Sequence, residues 1–205
     1  MSLRQEQKER TVQRLTEAAR TAFEQEGYAA TTVDDIVRIA GTSRGTFYLH
    51  FMSKAAALRA VLHDLELEEE YRLVIEGFRS IEAPTVEALQ PYVEQIASFV
   101  EHNKAIHRAM YEAQATDPAF AQSLVERFDE YDLAWQTLSF VDGVDGEDLR
   151  VGATLTFALI YQVTHLLFNG GLVLDRRRVV RLIAEFMHLA LRPSCGCDCT
   201  CCRGH

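Results

Sequence analysis

Apolar side chains recur every three to four positions along almost the whole chain, and strand-like alternation is nearly absent. That is the period of helices with one buried face. The pattern predicts a helix over residues 5–26, with Val12, Leu15, Ala19, Ala22 and Phe23 on one side. Gly27 is its expected stop, because glycine accepts the left-handed backbone of a C-terminal cap. A short second helix is predicted over 33–40, where Val33, Ile36, Val37 and Ala40 follow i, i+3, i+4, i+7. Thr32 stands at its N-cap and Asp35 at the third position, a near relative of the capping box. "GTS" then turns the chain, and "RGTFYLHF" reads as a third short helix capped by Ser43, with Phe47 and Phe51 inward.

Longer helices follow. Lys54 to about Ser80 reads as one helix, broken by "EAPT"; residues 86–102, with a bend expected at Pro91, and 104–115 read as two more. "TDP" is a start signal: Thr116 or Asp117 caps and Pro118 sits in the first turn of a helix reaching about Val141. Residues 148–169 are apolar around most of the circumference and end at Gly170 and Gly171; residues 176–192 form the last helix. The fold expected is all-α, with about nine helices.

Composition adds little until the charge is divided. The 205 residues are 48% hydrophobic and 25% charged, an ordinary globular balance, with a formal net charge of −9. Residues 1–54 carry 8 Lys/Arg against 7 Asp/Glu, whereas the rest carry 13 against 23. Acidity therefore belongs to the C-terminal three quarters, and well-placed cations near the start could still meet phosphates. The opening "MSLRQEQKERTVQRL" is polar and periodic, and no run approaches the roughly 18 uninterrupted apolar residues of a membrane helix. The expected setting is the cytoplasm, without a membrane partner.

Three short helices before a long one suggest a helix-turn-helix. In that arrangement the second helix props the third, and the third enters the major groove of DNA. With Phe47 and Phe51 inward, Arg44, Gly45, Thr46, Tyr48, Leu49 and His50 face outward. Arg44 could donate two bonds to a guanine edge, and Thr46 could bond a base or touch a thymine methyl. Gly45 would let the backbones approach. Tyr48, His50 and Lys54 could reach phosphates, and Thr32 and Ser43 complete the candidate set. The alternative is a bundle that uses these residues for packing alone.

The stretch "TTVDDIVRIAGTSRGTFYLHFMSK", with "AARTAFEQEGY" before it, resembles the DNA-binding segment of the tetracycline-repressor (TetR) family of bacterial transcriptional regulators. The likeness spans about residues 10–65. Phe23, Gly27, Thr31 or Thr32, Ile36, Ala40, Gly41, Ser43, Gly45, Thr46, Tyr48, Phe51 and Lys54 fall at the family's spacing. Two departures are Thr42, at a turn position usually apolar, and Val37, in place of a small alanine. The resemblance implies an all-helical homodimer that binds a palindromic operator in double-stranded DNA. It implies a repressor, released when a small-molecule effector enters the C-terminal domain. The organisation expected is a DNA-binding domain over 1–54, a ligand-binding and dimerisation domain over 55–193, and a Cys-rich tail over 194–205.

The resemblance also implies an effector pocket. Its candidate liners are His107, Met110, Tyr111, Trp135, Phe157, Tyr161, Gln162 and His165; each could equally be a core residue with its polar end satisfied. Tyr161 and His165, four apart, would share a helix face. In the family the last two helices form a four-helix bundle with a partner, which would explain a helix apolar on two sides; a fully internal helix is the alternative. "DRRR" at Asp175 to Arg178 opens the last helix, where a solvated or interface-pairing role is expected. No Ser-His-acid order, Gly-rich phosphate loop or HExxH occurs, so no enzyme is expected and no cofactor is required. All five cysteines, Cys195, Cys197, Cys199, Cys201 and Cys202, crowd into the tail. Thiolates so spaced could hold Cu(I) or Zn(II), making the protein a metal-responsive regulator or a metal-binding helical protein without DNA binding. An idle appendage and redox bridging between tails are the other readings.

Overall fold

The computed structural model of the chain describes residues 3–67, 69–124 and 146–191. Among them there are helices and no strand. Helix α1 (Leu3–Ala30) buries Leu15, Ala18, Ala19, Ala22 and Phe23 along one stripe. Its helical path is interrupted at Gly27, where φ is +77°. That backbone favours glycine, and a β-carbon there would also stand 2.8 Å from Glu112 Oε2, so the Glu112 carboxylate would have to shift.

Helix α2 (Val33–Ile39) opens on the expected capping box. The Thr32 hydroxyl accepts the Asp35 amide and the Asp35 carboxylate accepts the Thr32 amide (3.2 and 3.0 Å). Helix α3 (Arg44–His50) is capped by Ser43, which accepts the Thr46 amide at 3.1 Å. Ile36 and Phe47 are fully buried with Leu15, Phe23, Leu58 and Val61, fastening both short helices to α1 and to α4 (Lys54–Leu67). Isolated helices this short are marginal, and burial of the apolar face holds them. The departures from the family pattern fit: Val37 is buried, and the half-buried Thr42 donates its amide to the Val37 carbonyl (3.0 Å).

The stretch expected as one helix from Lys54 to Ser80 is described as α4 and α5 (Glu69–Arg79). Next come α6 (Val86–His102), with Pro91 inside it, and α7 (Lys104–Thr116). In α8, of which residues 118–124 are described, Asp117 is the N-cap; its Oδ1 accepts the Ala119 and Phe120 amides at 3.0 and 3.1 Å. Helices α9 (Gly146–Phe168) and α10 (Arg176–Ala190) complete the described residues. One apolar core runs through them, from Leu15 and Phe23 to Leu89, Ile106, Met187 and Leu191.

Helix α9 is long and apolar enough, by length and composition, to cross a membrane, although polar residues interrupt its apolar run. Gly152, Thr156, Ile160 and Thr164, four apart, form its buried face. A β-carbon on Gly152 would lie 3.1 Å from that of Ala190, so small residues bring α9 and α10 close. Arg176 fixes α10 to α6 with ion pairs to Glu94 (2.8 Å) and Glu101 (2.6 Å). The "DRRR" cations thus include one interhelical clamp.

Candidate nucleic-acid interface and buried histidine cluster

Phe47 sets the orientation of α3. Its ring is fully buried, 5.6 Å from Phe51 and edge-on to Tyr48 at 5.4 Å. A helix anchored on one side presents the other: Arg44, Gly45, Tyr48 and Leu49 are exposed, while Thr46 and His50 are half-buried. Leu49 is 81% exposed and Met52 beyond it 90%. Thr32 and Ser43 are exposed, yet their hydroxyls already serve the helix starts. Thr32 Oγ1 donates to Asp35 at 2.6 Å, and Ser43 Oγ lies 3.0 Å from Thr46 Oγ1. The Thr32 hydroxyl, then Arg38, lowers the Asp35 carboxyl to about 2.

The Arg44 guanidinium is held by Asp34, a partner that the sequence reading missed. Nη1 donates to both carboxylate oxygens at 2.9 and 3.2 Å, in an exposed pair bridging α2 and α3. Ten residues separate the two, so no helical period could have signalled the pair.

Lys54, expected to reach a phosphate, donates from Nζ to the carbonyls of Tyr28 (2.6 Å) and Thr31 (2.8 Å), with the Tyr28 ring 4.1 Å away. Those carbonyls lie where α1 ends, beyond the Gly27 interruption, and lack helical partners of their own. Burial lowers the Lys54 ammonium's pKa, against the raising pull of Asp117 and Glu112.

The same corner joins α1 to the larger body. The Tyr28 hydroxyl donates to Asp117 Oδ2 and the Ala29 amide to Glu112 Oε2, both at 3.0 Å. Burial, then the Asp117 carboxylate, pushes the Tyr28 phenol up. Glu112 and Asp117 belong to α7 and the start of α8, so these polar ties cross from one set of helices to the other.

Rings gather between α6, α7 and α9. His107 lies edge-on to Phe99 at 6.1 Å and 5.5 Å from Tyr161, which stacks on Phe157 at 4.1 Å. One turn along, Tyr111 and His165 are 3.8 Å apart, so the shared face expected of Tyr161 and His165 is present. Met110 is buried nearby in sequence, whereas Gln162 is exposed and does not join the cluster. Among the described residues neither ring nitrogen of the buried His107 has a hydrogen-bond partner. Burial, with a smaller contribution from His165, lowers His107 to about 4, and burial raises Tyr111 to about 12. Trp135 and the five tail cysteines lie outside the described residues. Among the described residues no group of three or more His, Cys, Asp or Glu could hold a metal ion.

Residues 15–61, which contain α2, α3 and the joint at Gly27, match the family model described as bacterial regulatory proteins, tetR family. The chain is 36% identical over 118 residues to the HTH-type transcriptional regulator SrpR of Pseudomonas putida, covering 51% of this chain and 54% of SrpR. The match thus spans about half the length of that relative. It is 37% identical over 116 residues to the uncharacterised HTH-type transcriptional regulator TtgW, also of Pseudomonas putida, covering 50% of this chain and 85% of TtgW. In fold it is similar to a TetR-like transcriptional regulator from Rhodococcus sp. RHA1, with a TM-score of 0.56 at 20% identity over 88% of this chain and 93% of that one. These relatives are regulators, not enzymes. With its helix-turn-helix, its all-helical body and these likenesses, the chain belongs to the tetR family of bacterial regulatory proteins.

Proposed function

We propose that the protein is a dimeric, sequence-specific DNA-binding repressor, released from a palindromic operator by a small-molecule effector. The observation that carries the reading is the split of α3: Phe47 buried on one side, and Arg44, Gly45, Tyr48 and Leu49 exposed on the other. An exposed helix face with a guanidinium at its start suits a major groove. Arg44 reads a base edge, Thr46 supports it, and Tyr48 and His50 touch the backbone. Thr32 and Ser43 act mainly by holding the two helix starts. Residues 1–54 serve as the DNA-binding unit and 55–193 as the effector and dimer unit. Exposed Val151, Leu155 and Leu166 on α9 and Leu182 and Leu189 on α10 supply an apolar face for the second copy. The corner around Tyr28, Lys54, Glu112 and Asp117 links the two units.

Selection of bound duplexes from a random pool tests this. A palindromic site should emerge, bound with steep salt dependence. Arg44→Ala should relax preference at one base pair per half-site, at a cost of about 1–3 kcal/mol there. Enrichment of no sequence would overturn the reading.

A further inference from the structure

Phe47 fixes more than which side of α3 is exposed. An α-helix turns about 100° per residue, so Gly45 and Leu49 each stand within about 20° of the line opposite the buried Phe47 ring. Gly45 has no side chain, which leaves Leu49 as the side chain directed straight away from the core. It is 81% exposed. Groups that can hydrogen-bond lie on the flanks. Arg44 and Tyr48, four apart, share one flank, where Asp34 accepts both bonds from Arg44 Nη1. Thr46 and His50 share the other and are half-buried, with Thr46 Oγ1 3.0 Å from Ser43 Oγ. The crest of α3 is therefore apolar. A leucine exposed on an ordinary surface needs no explanation, but this one stands where the helix would go deepest into a groove.

We propose that Leu49 is a specificity-determining residue that reads the C5 methyl of one thymine in each operator half-site. The proposal rests on the DNA-reading function above and deepens it by naming a base.

The chemistry of the groove selects that base. Leucine neither donates nor accepts a hydrogen bond. Against the nitrogen and oxygen edges of a base it gains nothing and strips them of water. The one apolar group displayed in the major groove is the thymine methyl. Gly45, one turn before Leu49 on the same crest, lets the two backbones approach and brings Leu49 within reach of the groove floor. Met52 is 90% exposed as well, but it follows the extended C-cap Phe51 and so leaves the helical path. It serves as the control.

The operator selected from the random pool supplies the test. Each of its thymines is replaced in turn, in both half-sites, by deoxyuridine, which removes the methyl and nothing else. Fluorescence anisotropy titration of the full chain reads the affinity. At one thymine position or more, the loss should weaken binding about fourfold per half-site, the worth of burying one methyl group. At one such position, thymine and deoxyuridine should bind alike in Leu49→Ala, while Met52→Ala should keep the wild-type difference there. At that position 5-methylcytosine should bind more tightly than cytosine in the wild type, and equally in Leu49→Ala. Circular dichroism checks the fold of both variants. Indifference of the wild type to every methyl, sensitivity that survives at every position in Leu49→Ala, or sensitivity lost in Met52→Ala as well would each overturn the proposal. Operator binding without methyl sensitivity defeats the role of Leu49 and leaves the regulator standing. Enrichment of no operator defeats the regulator, and the role of Leu49 with it.

Discussion

Asp34 places a carboxylate against the guanidinium at the start of α3. Both partners are exposed, so solvent screens the pair and it adds little to stability. On the proposed reading of α3 its effect is on binding, because a carboxylate on a surface that faces DNA would repel phosphates and compete with a base edge for Arg44. Asp34→Asn should therefore leave the melting temperature unchanged. It should raise affinity for random duplex several-fold, about as much as one added phosphate neutralisation, and narrow the gap to operator. Competition titrations with operator and random DNA measure both. Unchanged affinity for each would mean that the pair has no part in DNA binding. The residue scale is also where sequence reading was weakest. Thr32, Asp35 and Ser43 were legible as caps because a cap bonds within three residues. The Asp34–Arg44 pair was not, because it depends on how a turn folds α3 against α2.

At the scale of elements, Lys54 ties the first turn of α4 to the end of α1. A phosphate contact and a carbonyl clamp predict different behaviour on substitution. Lys54→Met keeps an unbranched apolar stem and removes both donated bonds. It should cost about 1–3 kcal/mol of stability, since the Tyr28 and Thr31 carbonyls lose a charged donor. Operator binding should keep its salt slope, which the loss of a true phosphate contact would lower by about one. Urea unfolding and salt-dependent titration separate the two; a lowered slope with unchanged unfolding would sink the clamp. Gly27 was legible as a helix stop, as its positive φ bears out. Its second duty, leaving room for Glu112, was invisible because Glu112 comes from α7, far along the chain.

At the scale of the whole molecule, α9 and α10 bury one face each and leave the other to solvent. Leu155 and Leu182 are about half exposed and Leu189 is 65% exposed. Covering the exposed half of such a leucine contributes about 1 kcal/mol, so several together favour docking of a second copy there. Because these side chains make few demands on the single chain's core, Leu155→Glu should leave the helical spectrum intact. It should convert a dimer to a monomer in sedimentation, and operator affinity should collapse with it, since half-sites would be bound singly. A variant that still sediments as a dimer would place the interface elsewhere.

The helical period by itself determined most of the described helices, the caps at Thr32, Ser43 and Asp117, and the buried side of α3, because each depends on residues within one or two turns. The same local signals, with the family spacing around Gly27 and Phe51, made the DNA-reading segment legible. Only the tertiary structure decided what the polar groups do. It turned Lys54 to α1, gave Arg44 to Asp34, left Gln162 in solvent and buried His107 among rings with nothing to bond among the described residues. The physical reason is range. Apolar burial is read from periodicity because it needs only a face, whereas a hydrogen bond or an ion pair needs one particular atom. That atom is here supplied by another helix, at a separation no helical period reports.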